Sequence, residues 1–535
     1  MKRQRAVITV FFSLMSVVFL GAASACVEAV RVSGARAHLA NVVSLGNWTV
    51  FSEYENELLD KFSLFAVDGS YGGGDLAITT LESKLEGSIE ENIRPADGIS
   101  AKLPSLTMDP FKSDLNTASA VEYALLTDRQ GEYFYQQAVE YMSKTAWSNA
   151  VGKLTDMYRD ATELEQAQKD YSENESSSQS AMADLNTQVQ KAAADQAAAA
   201  KQNSGKSSGK GKSKGKGKSK GKGKGKSSGK GGSKKKKTPE NPVTRINKLR
   251  KKDQLTLVCG KKKVSSLKIS RKGLLSKRRK NSGTLRLDTP HSGATADLLF
   301  REYLVDHFPC FSDKKGSKVL EYQLEYLLGG KSSDKANLKA AVRKLLLMRE
   351  GANYVSLLKN TKANLEVQEM ATLILGWTGN AALVQVLKHA IILAWAYGES
   401  LFDVRMMLKG GRVPVFKTAA QWKVPLSKLI KIDQYLSKAD KAAKKASTGL
   451  LYKDYMRLLL AGESSKKLRK RALDLIELNM RQLSGRSAFR CDCCVVGIRV
   501  RADFTIRPAF ASAVRGLLGV GMDQMTASVE GGFAY

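Results

Sequence analysis

"FLGAASACVEAV", residues 19–30, lies where a hydrophobic run gives way to a charged chain, and its reading decides the architecture of everything after it. Ala23-Ser24-Ala25 has the small residues of a signal-peptidase site, and Ser24-Ala25-Cys26 has the outline of a lipoprotein site. Cys26-Val27-Glu28 can equally continue a helix that leaves a membrane. The flanks favour the last reading. Upstream, Lys2, Arg3 and Arg5 precede Ala6–Val27, 22 residues without a charged side chain. As a helix that run reaches about 33 Å, enough to cross a bilayer core, and it exceeds the usual length of a cleaved signal segment. The positive flank places the amino terminus in the cytoplasm and the remainder outside.

Downstream the helix has no obvious stop. Apart from Gly34, neither Gly nor Pro occurs until Gly46, and Val27, Val30, Gly34, Ala37 and Asn41 form one helical stripe, with Glu28, Arg31 and Arg36 elsewhere around it. Ala23 replaces the Leu preferred three residues before a lipoprotein Cys. The expectation is therefore an uncut anchor over 6–27, with Cys26 near its outer end and Glu28 marking the exit into water.

The remaining 500-odd residues divide by charge. The formal net charge of the chain is +34, yet residues 31–200 hold 13 basic and 26 acidic side chains. Residues 201–237 hold 16 Lys and no acid, and residues 238–535 hold 54 basic and 25 acidic side chains. An acidic and a basic segment joined by a basic cord should attract one another, and the excess makes an anionic partner plausible: wall polymer, extracellular DNA or lipid headgroups. Residues 203–233, "NSGKSSGKGKSKGKGKSKGKGKGKSSGKGGS", have no apolar side chain to offset ordering entropy and read as an extended, disordered linker. No aromatic residue interleaves with the lysines, so specific nucleic-acid recognition is not supported. The cord at 206–237 and the basic stretch 245–280 are the segments a polyanion would meet.

Local pattern predicts a mixed α+β chain. An amphipathic helix is read over Val50–Phe62 and a short strand over Leu64–Val67, and 132–200 reads as a polar, solvent-exposed helix or weak coiled coil. "QLTLVCG", 254–260, is strand-like. In "VLEYQLEYLLGG", 319–330, Leu320, Tyr322, Leu324 and Tyr326 alternate with Glu321, Gln323 and Glu325, the pattern of a half-buried strand. A helix then follows over Ala336–Met348, and helical pattern persists to Leu483 with breaks at Gly351, near Gly376 and Gly379, at Gly410-Gly411 and at Pro425. Ala381–Tyr397 is apolar but interrupted by Gln385, Lys388 and His389, and reads as the central helix of a bundle rather than a second span. Ile498, Val500, Ala502, Phe504 and Ile506 alternate with polar residues as a strand.

Catalytic signatures are missing from the sequence. "GGKSSD", 329–334, sits where a phosphate loop could, but its first Gly would fall at Glu325. The four histidines, His38, His291, His307 and His389, accompany no metal or hydrolase motif and read as structural. Cys491-Asp492-Cys493-Cys494 lacks the C-x-x-C spacing of a tetrahedral metal site. An extracytoplasmic disulfide is the better expectation there, with Cys491 and Cys493 poorly placed to pair with each other. No catalytic, cofactor-binding or metal-ligating residue is nominated, and the chain is not expected to be an enzyme.

Taken together, "AVITVFFSLMSVVFL" with "CVEAVRVSGARAHLA", "VFSEYENELLDKFSLFAVDGSYG", "LEYQLEYLLGGKSSDKANLKAAVRKLLLMREGANY", "IILAWAYGESLFDVRMMLKGGRVPVFKTAAQW" and "LLYKDYMRLLLAGE" resemble a family of exported, single-pass membrane proteins of Gram-positive Firmicute bacteria that carry a domain of unknown function. That family is similar in organisation to TadE-like, pilin-like components of tight-adherence (Flp) pilus systems. The resemblance implies a membrane-anchored extracytoplasmic protein, with other surface or pilus-apparatus proteins as partners, and supplies no catalytic residues. A prepilin site is absent, since no Gly precedes Ala6 and the fifth residue after Gly21 is Cys26. The expected organisation is a cytoplasmic basic terminus at 1–5, an anchor at 6–27 and an acidic, pilin-like α+β region at 28–170. A polar helix and Lys/Gly/Ser-rich linker at 171–242, a mainly helical basic domain at 243–487 and a strand-rich tail at 488–535 follow.

Overall fold

The computed structural model describes residues 2–93, 111–145, 148–204, 240–260, 262–313, 316–508 and 524–535. The cord expected to be disordered, from residue 205 to 239, lies outside them. The fold is mixed: a helical majority with a few antiparallel strands and a long apolar helix at the amino terminus.

The first segment comprises α1 (Lys2–Phe51), α2 (Asn56–Phe62), β1 (Val67–Asp68), α3 (Ile78–Ile93), β2 (Ser113–Leu125), α4 (Asp128–Thr145) and α5 (Ser148–Ser204). The second contains α6 (Pro242–Arg250), α7 (Gln254–Cys259), α8 (Gly293–His307), α9 (Gln323–Gly329), α10 (Asp334–Leu358), α11 (Thr361–Leu375) and α12 (Ala381–Leu408). Short turns lead through α13 (Ile432–Tyr435) and α14 (Ala439–Ala443) to α15 (Tyr452–Ala461), α16 (Ser465–Met480), β3 (Cys494–Ile506) and β4 (Met525–Ala534).

The sheet joins the two segments. β3 is its centre: β2 runs antiparallel along one edge from Ser113↔Ile506 to Leu125↔Val495. Because a strand has two edges, β4 (Gly497↔Ala534 to Ile506↔Met525) and β1 (Val67↔Val495) share the other, end to end. Alternation sorts the faces as the sequence predicts: Ile498, Val500, Ala502, Phe504 and Ile506 are buried, while Arg499 and Arg501 are exposed. The buried face packs on Val32, Ala35, Leu39, Val42, Val43 and Val50 of α1 and on Leu81, Leu85 and Ile89 of α3.

A second, larger core surrounds α12. That helix extends past the expected Tyr397 to Leu408 and is buried from Ala390 through Val404. α10, α11, α5, α6, α7 and α14 pack around it. Residues of the acidic segment enter this core directly: Tyr133, Phe134 and Val139 of α4, and Leu164, Tyr171 and Leu185 of α5.

Several local expectations are corrected. "QLTLVCG" forms α7, a helix, and "QLEYLLG" forms α9, also a helix. The alternation in the latter was fortuitous: Gln323 and Glu325 are buried with their apolar neighbours, so no face is wet and period-two patterning carries no information. The Val50–Phe62 helix is two elements, the end of α1 and α2, divided by a turn in which Ser52 N bonds Trp48 O at 2.9 Å. The strand after it shrinks to Val67–Asp68. Gly351 does not break a helix: α10 runs from Asp334 to Leu358, and Gly351 is where α5 crosses it. A Cβ at 351 would lie 2.7 Å from the Ala167 backbone. α5 is accordingly not a free polar helix, because Leu164, Ala167, Tyr171 and Leu185 lay a narrow apolar stripe against the basic segment.

Candidate membrane anchor

Two helices among the described residues are long and apolar enough to cross a membrane, α1 and α12. α12 is core. α1 changes character along its length. In its first half the side chains of Val7, Ile8, Val10, Phe11, Phe12, Leu14, Val18, Phe19 and Leu20 all stand exposed, Phe12 by 64% and Phe19 by 71%. An uncovered apolar surface of that extent marks contact with a membrane or another apolar surface. The helix then passes through Gly21–Ala25 unbroken.

The transition falls at Glu28 and Arg31, and it differs from expectation. Glu28 does not mark an exit into water: it is 1% exposed and carries a bidentate ion pair with Arg31, whose Nη2 donates to Glu28 Oε1 at 2.5 Å and to Arg507 O at 2.8 Å. The stripe that docks is also rotated from the one read in the sequence. Glu28, Arg31, Val32, Ala35, Leu39, Val42, Val43, Gly46 and Val50 face the sheet and α3, while Val27, Val30, Ala37 and Asn41 are exposed. Mutual neutralisation lets a charged pair occupy the buried face. Small residues set the approach: a Cβ at Gly34 would lie 2.8 Å from the Phe111 ring, and one at Gly46 would lie 2.8 Å from Ile89. Tyr535, at the end of β4, donates its hydroxyl to Phe51 O and ties the last turn of α1 to the sheet.

Away from the anchor, the titratable groups are engaged in packing. His38 stacks on Phe111 with ring centroids 5.6 Å apart. His291 Nε2 lies 2.7 Å from Glu140 Oε2, and His307 lies between Tyr303 O and Ser63 Oγ, its pKa lowered by burial. His389 is on the exposed side of α12. In "GGKSSD", Ser333 Oγ caps α10 through Ala336 N, and Asp334 accepts from Ser265 Oγ at 2.6 Å and from the backbone of Glu321 and Tyr322. Glu325 Oε1 accepts from Phe311 N at 2.9 Å and Tyr452 Oη at 2.8 Å, and burial pushes its carboxyl up to about 7.

The expected disulfide at 491–494 does not form. All six cysteines are free thiols, and those of Cys491, Cys493 and Cys494 turn to three different carbonyls, Leu473 O, Gly74 O and Arg490 O. Cys491–Cys493 is a 3-10 turn, so these side chains fan out. Burial raises each of their pKa values.

One polar cluster was not visible in sequence. Arg349 of α10 is fully buried and donates to Asp403 Oδ2 at 2.9 Å, Asn353 Oδ1 at 2.9 Å and Pro414 O at 3.0 Å. Lys417 pairs with both Glu399 and Asp403. Two cations meet two carboxylates, and Glu399 also accepts from Val424 N at 2.7 Å. Burial pushes both carboxyls up; Lys417 and Arg349 hold Asp403 below the ordinary range, while Glu399 stays above it. The cluster fastens the 413–424 loop to α12. The 245–280 stretch is likewise partly engaged: Arg245 pairs with Asp433, Arg250 with Glu175 and Glu350, and Arg278 with Glu477 and Asp492.

A family model matches residues 232–506, from the end of the Lys-rich cord to the end of β3. The chain belongs to DUF5702, a family of unknown function. In the DUF5702 chain the matched region covers the basic segment's share of the α12 core and the central strand, whereas α4 and α5, which also enter that core, and α1, β1, β2 and β4 lie outside it. No curated protein and no solved structure matches the chain.

Proposed function

We propose that this DUF5702 protein is a single-pass, membrane-anchored extracytoplasmic protein that acts through interaction rather than turnover, as a pilin-like accessory component of a surface or secretion apparatus. One observation carries the reading: α1 is a single helix whose first half exposes a continuous apolar surface and whose second half is buried against the body. Such a helix couples a bilayer to a folded domain without a hinge between them. The pilin-like element is supported by the way α1 and α3 cover one face of an antiparallel sheet. Without a prepilin cleavage site the apolar half would stay in the membrane, which suits an accessory part better than a polymerising subunit.

The test is alkaline carbonate extraction of membranes, with mass spectrometry of the mature amino terminus. Retention in the pellet with residues 2–25 present is the expected result. A chain beginning at residue 26, or release of the intact chain by carbonate, overturns the anchor.

A further inference from the structure

A cavity of about 210 Å³ opens between the 269–277 loop, the left-handed turn after α9 and the first half of α16. Six cations line it: Arg271, Lys277, Lys331, Lys467, Lys470 and Arg471. Among the described residues only Lys467 has a carboxylate partner, Glu463 at 2.5 Å. Asp474 is the one acid on the wall, and both of its oxygens are occupied: Oδ1 accepts from Ser276 N at 2.8 Å and Oδ2 from Tyr326 Oη at 3.0 Å. Even with Lys467 set against Glu463 and one more cation against Asp474, four positive charges converge on a small space.

The arrangement is built rather than incidental. Arg471 lies half-buried, its Nη1 donating to Leu327 O at 2.6 Å. Gly330, at φ 60°, passes directly over its guanidinium: a Cβ at 330 would lie 2.5 Å from Nη2. A side chain at 330 would be strained in that conformation and would push the guanidinium aside. Arg271, Lys277, Lys331, Lys467 and Lys470 are exposed around the opening. Desolvation lowers the Arg471 pKa against the opposing pull of Glu463, Tyr326 and Asp474, a condition an incoming anion would relieve.

We propose that this cavity binds the phosphoryl group of a small phosphorylated polyol, with Arg471 beneath it and Lys331, Lys470 and Arg271 around it. A phosphoryl group presents several charged oxygens in different directions, matching one planar fork below and ammonium groups around the sides. A carboxylate has only two oxygens, both in one plane, so it would match the fork but fewer of the ammonium groups around it. The volume is below the roughly 300–1,000 Å³ of a pocket for drug-sized ligands, which fits one phosphoryl group with a short polyol. The site takes no residue from α1 and does not depend on the anchoring reading.

The full-length chain, in a non-ionic detergent, is titrated calorimetrically with glycerol phosphate, inorganic phosphate and glycerol. Binding of glycerol phosphate, absent for glycerol, is expected to weaken at least tenfold in Arg471→Ala and to be unchanged in Arg279→Ala, an exposed cation outside the cavity. If Arg471→Ala does not fold, Lys331→Ala/Lys470→Ala, altered only at exposed positions, should weaken binding about as much. Gly330→Ala keeps every charge but displaces the guanidinium, and should also lose affinity. Tighter binding of glycerol phosphate than of inorganic phosphate supports the polyol ligand; equal binding of the two overturns that part in favour of the free ion. Wild-type affinity in Arg471→Ala or in the double variant, or an equal loss in Arg279→Ala, overturns the site.

Discussion

Glu325 illustrates how far a single residue can be read without its fold. In sequence it registers as a residue on the wet face of a strand and as the wrong residue for a phosphate loop; in the structure it is a fully buried carboxyl whose partners are Phe311 N and a tyrosine 127 positions away. Burial lifts its pKa to about 7, against 4.5 for an ordinary glutamate. Between those values the native state holds a proton that the unfolded chain has released. Stability therefore falls as pH rises through that window and levels off above it, by up to about 3 kcal/mol if the shift applies in full. Glu325→Gln mimics the protonated form: its oxygen can accept both hydrogen bonds without a charge. Denaturant unfolding from pH 4.5 to 8 should show a flatter profile for the variant and greater stability than wild type at pH 8. A parallel profile would mean Glu325 is ionised in the native state. The Arg349–Asp403–Lys417–Glu399 cluster was illegible for the same reason, since its members come from α10, α12 and a loop that only the tertiary fold brings together.

At the scale of elements, long signals survived and short ones failed. The apolar run of α1, the central helix α12 and the alternation of β3 span enough residues for periodicity to fix both type and face. The phase of α1 beyond the anchor was lost because its docking face includes an ion pair while its exposed face retains Val27 and Val30. Segment 323–329 is buried almost all round, where helix and strand leave the same apolar composition, and 254–259 is only six residues, too short for its period to separate the two. β2 was missed because its register shifts at Leu115/Thr117, Ala120/Glu122 and Ala124/Leu125 destroy the period of two. Gly351 looked like a helix break and is instead a helix crossing, which reverses a familiar sign. Gly→Ala inside an ordinary helix stabilises by roughly 1 kcal/mol. Here the new methyl would meet the Ala167 backbone at 2.7 Å, and backbone cannot yield as a side chain can. Gly351→Ala should therefore destabilise by about 1–3 kcal/mol, as overpacking does. Thermal unfolding reads the difference, and a raised midpoint would show that α5 does not press on α10.

For the molecule as a whole, segmental charge correctly suggests that the two halves meet, but not how. Ion pairs do cross between them: Arg469–Glu132 at 2.5 Å, Arg486–Glu55 at 2.5 Å, Arg490–Asp75 at 2.8 Å, Arg499–Glu122 at 2.8 Å and Arg507–Asp114 at 2.6 Å. The Arg499 and Arg507 side chains are about half exposed, and pairs of that kind contribute at most ~1 kcal/mol each and weaken with salt. The stronger connection is shared structure: β3 bonds along its length to β2 of the acidic half, and α4 and α5 contribute buried tyrosines, phenylalanine and leucines to the α12 core. Backbone ladders and apolar burial do not respond to ionic strength as surface charges do, and sulfate or concentrated salt strengthens apolar burial if anything. A protease site inserted between residues 205 and 239 allows the covalent link to be cut after folding. The two fragments should then co-elute in size-exclusion chromatography at both 50 mM and 1 M NaCl and separate only in denaturant. Dissociation in 1 M NaCl, with association at 50 mM, would instead assign the union of the halves to charge, and would imply that the β2–β3 pairing contributes little to holding the molecule together.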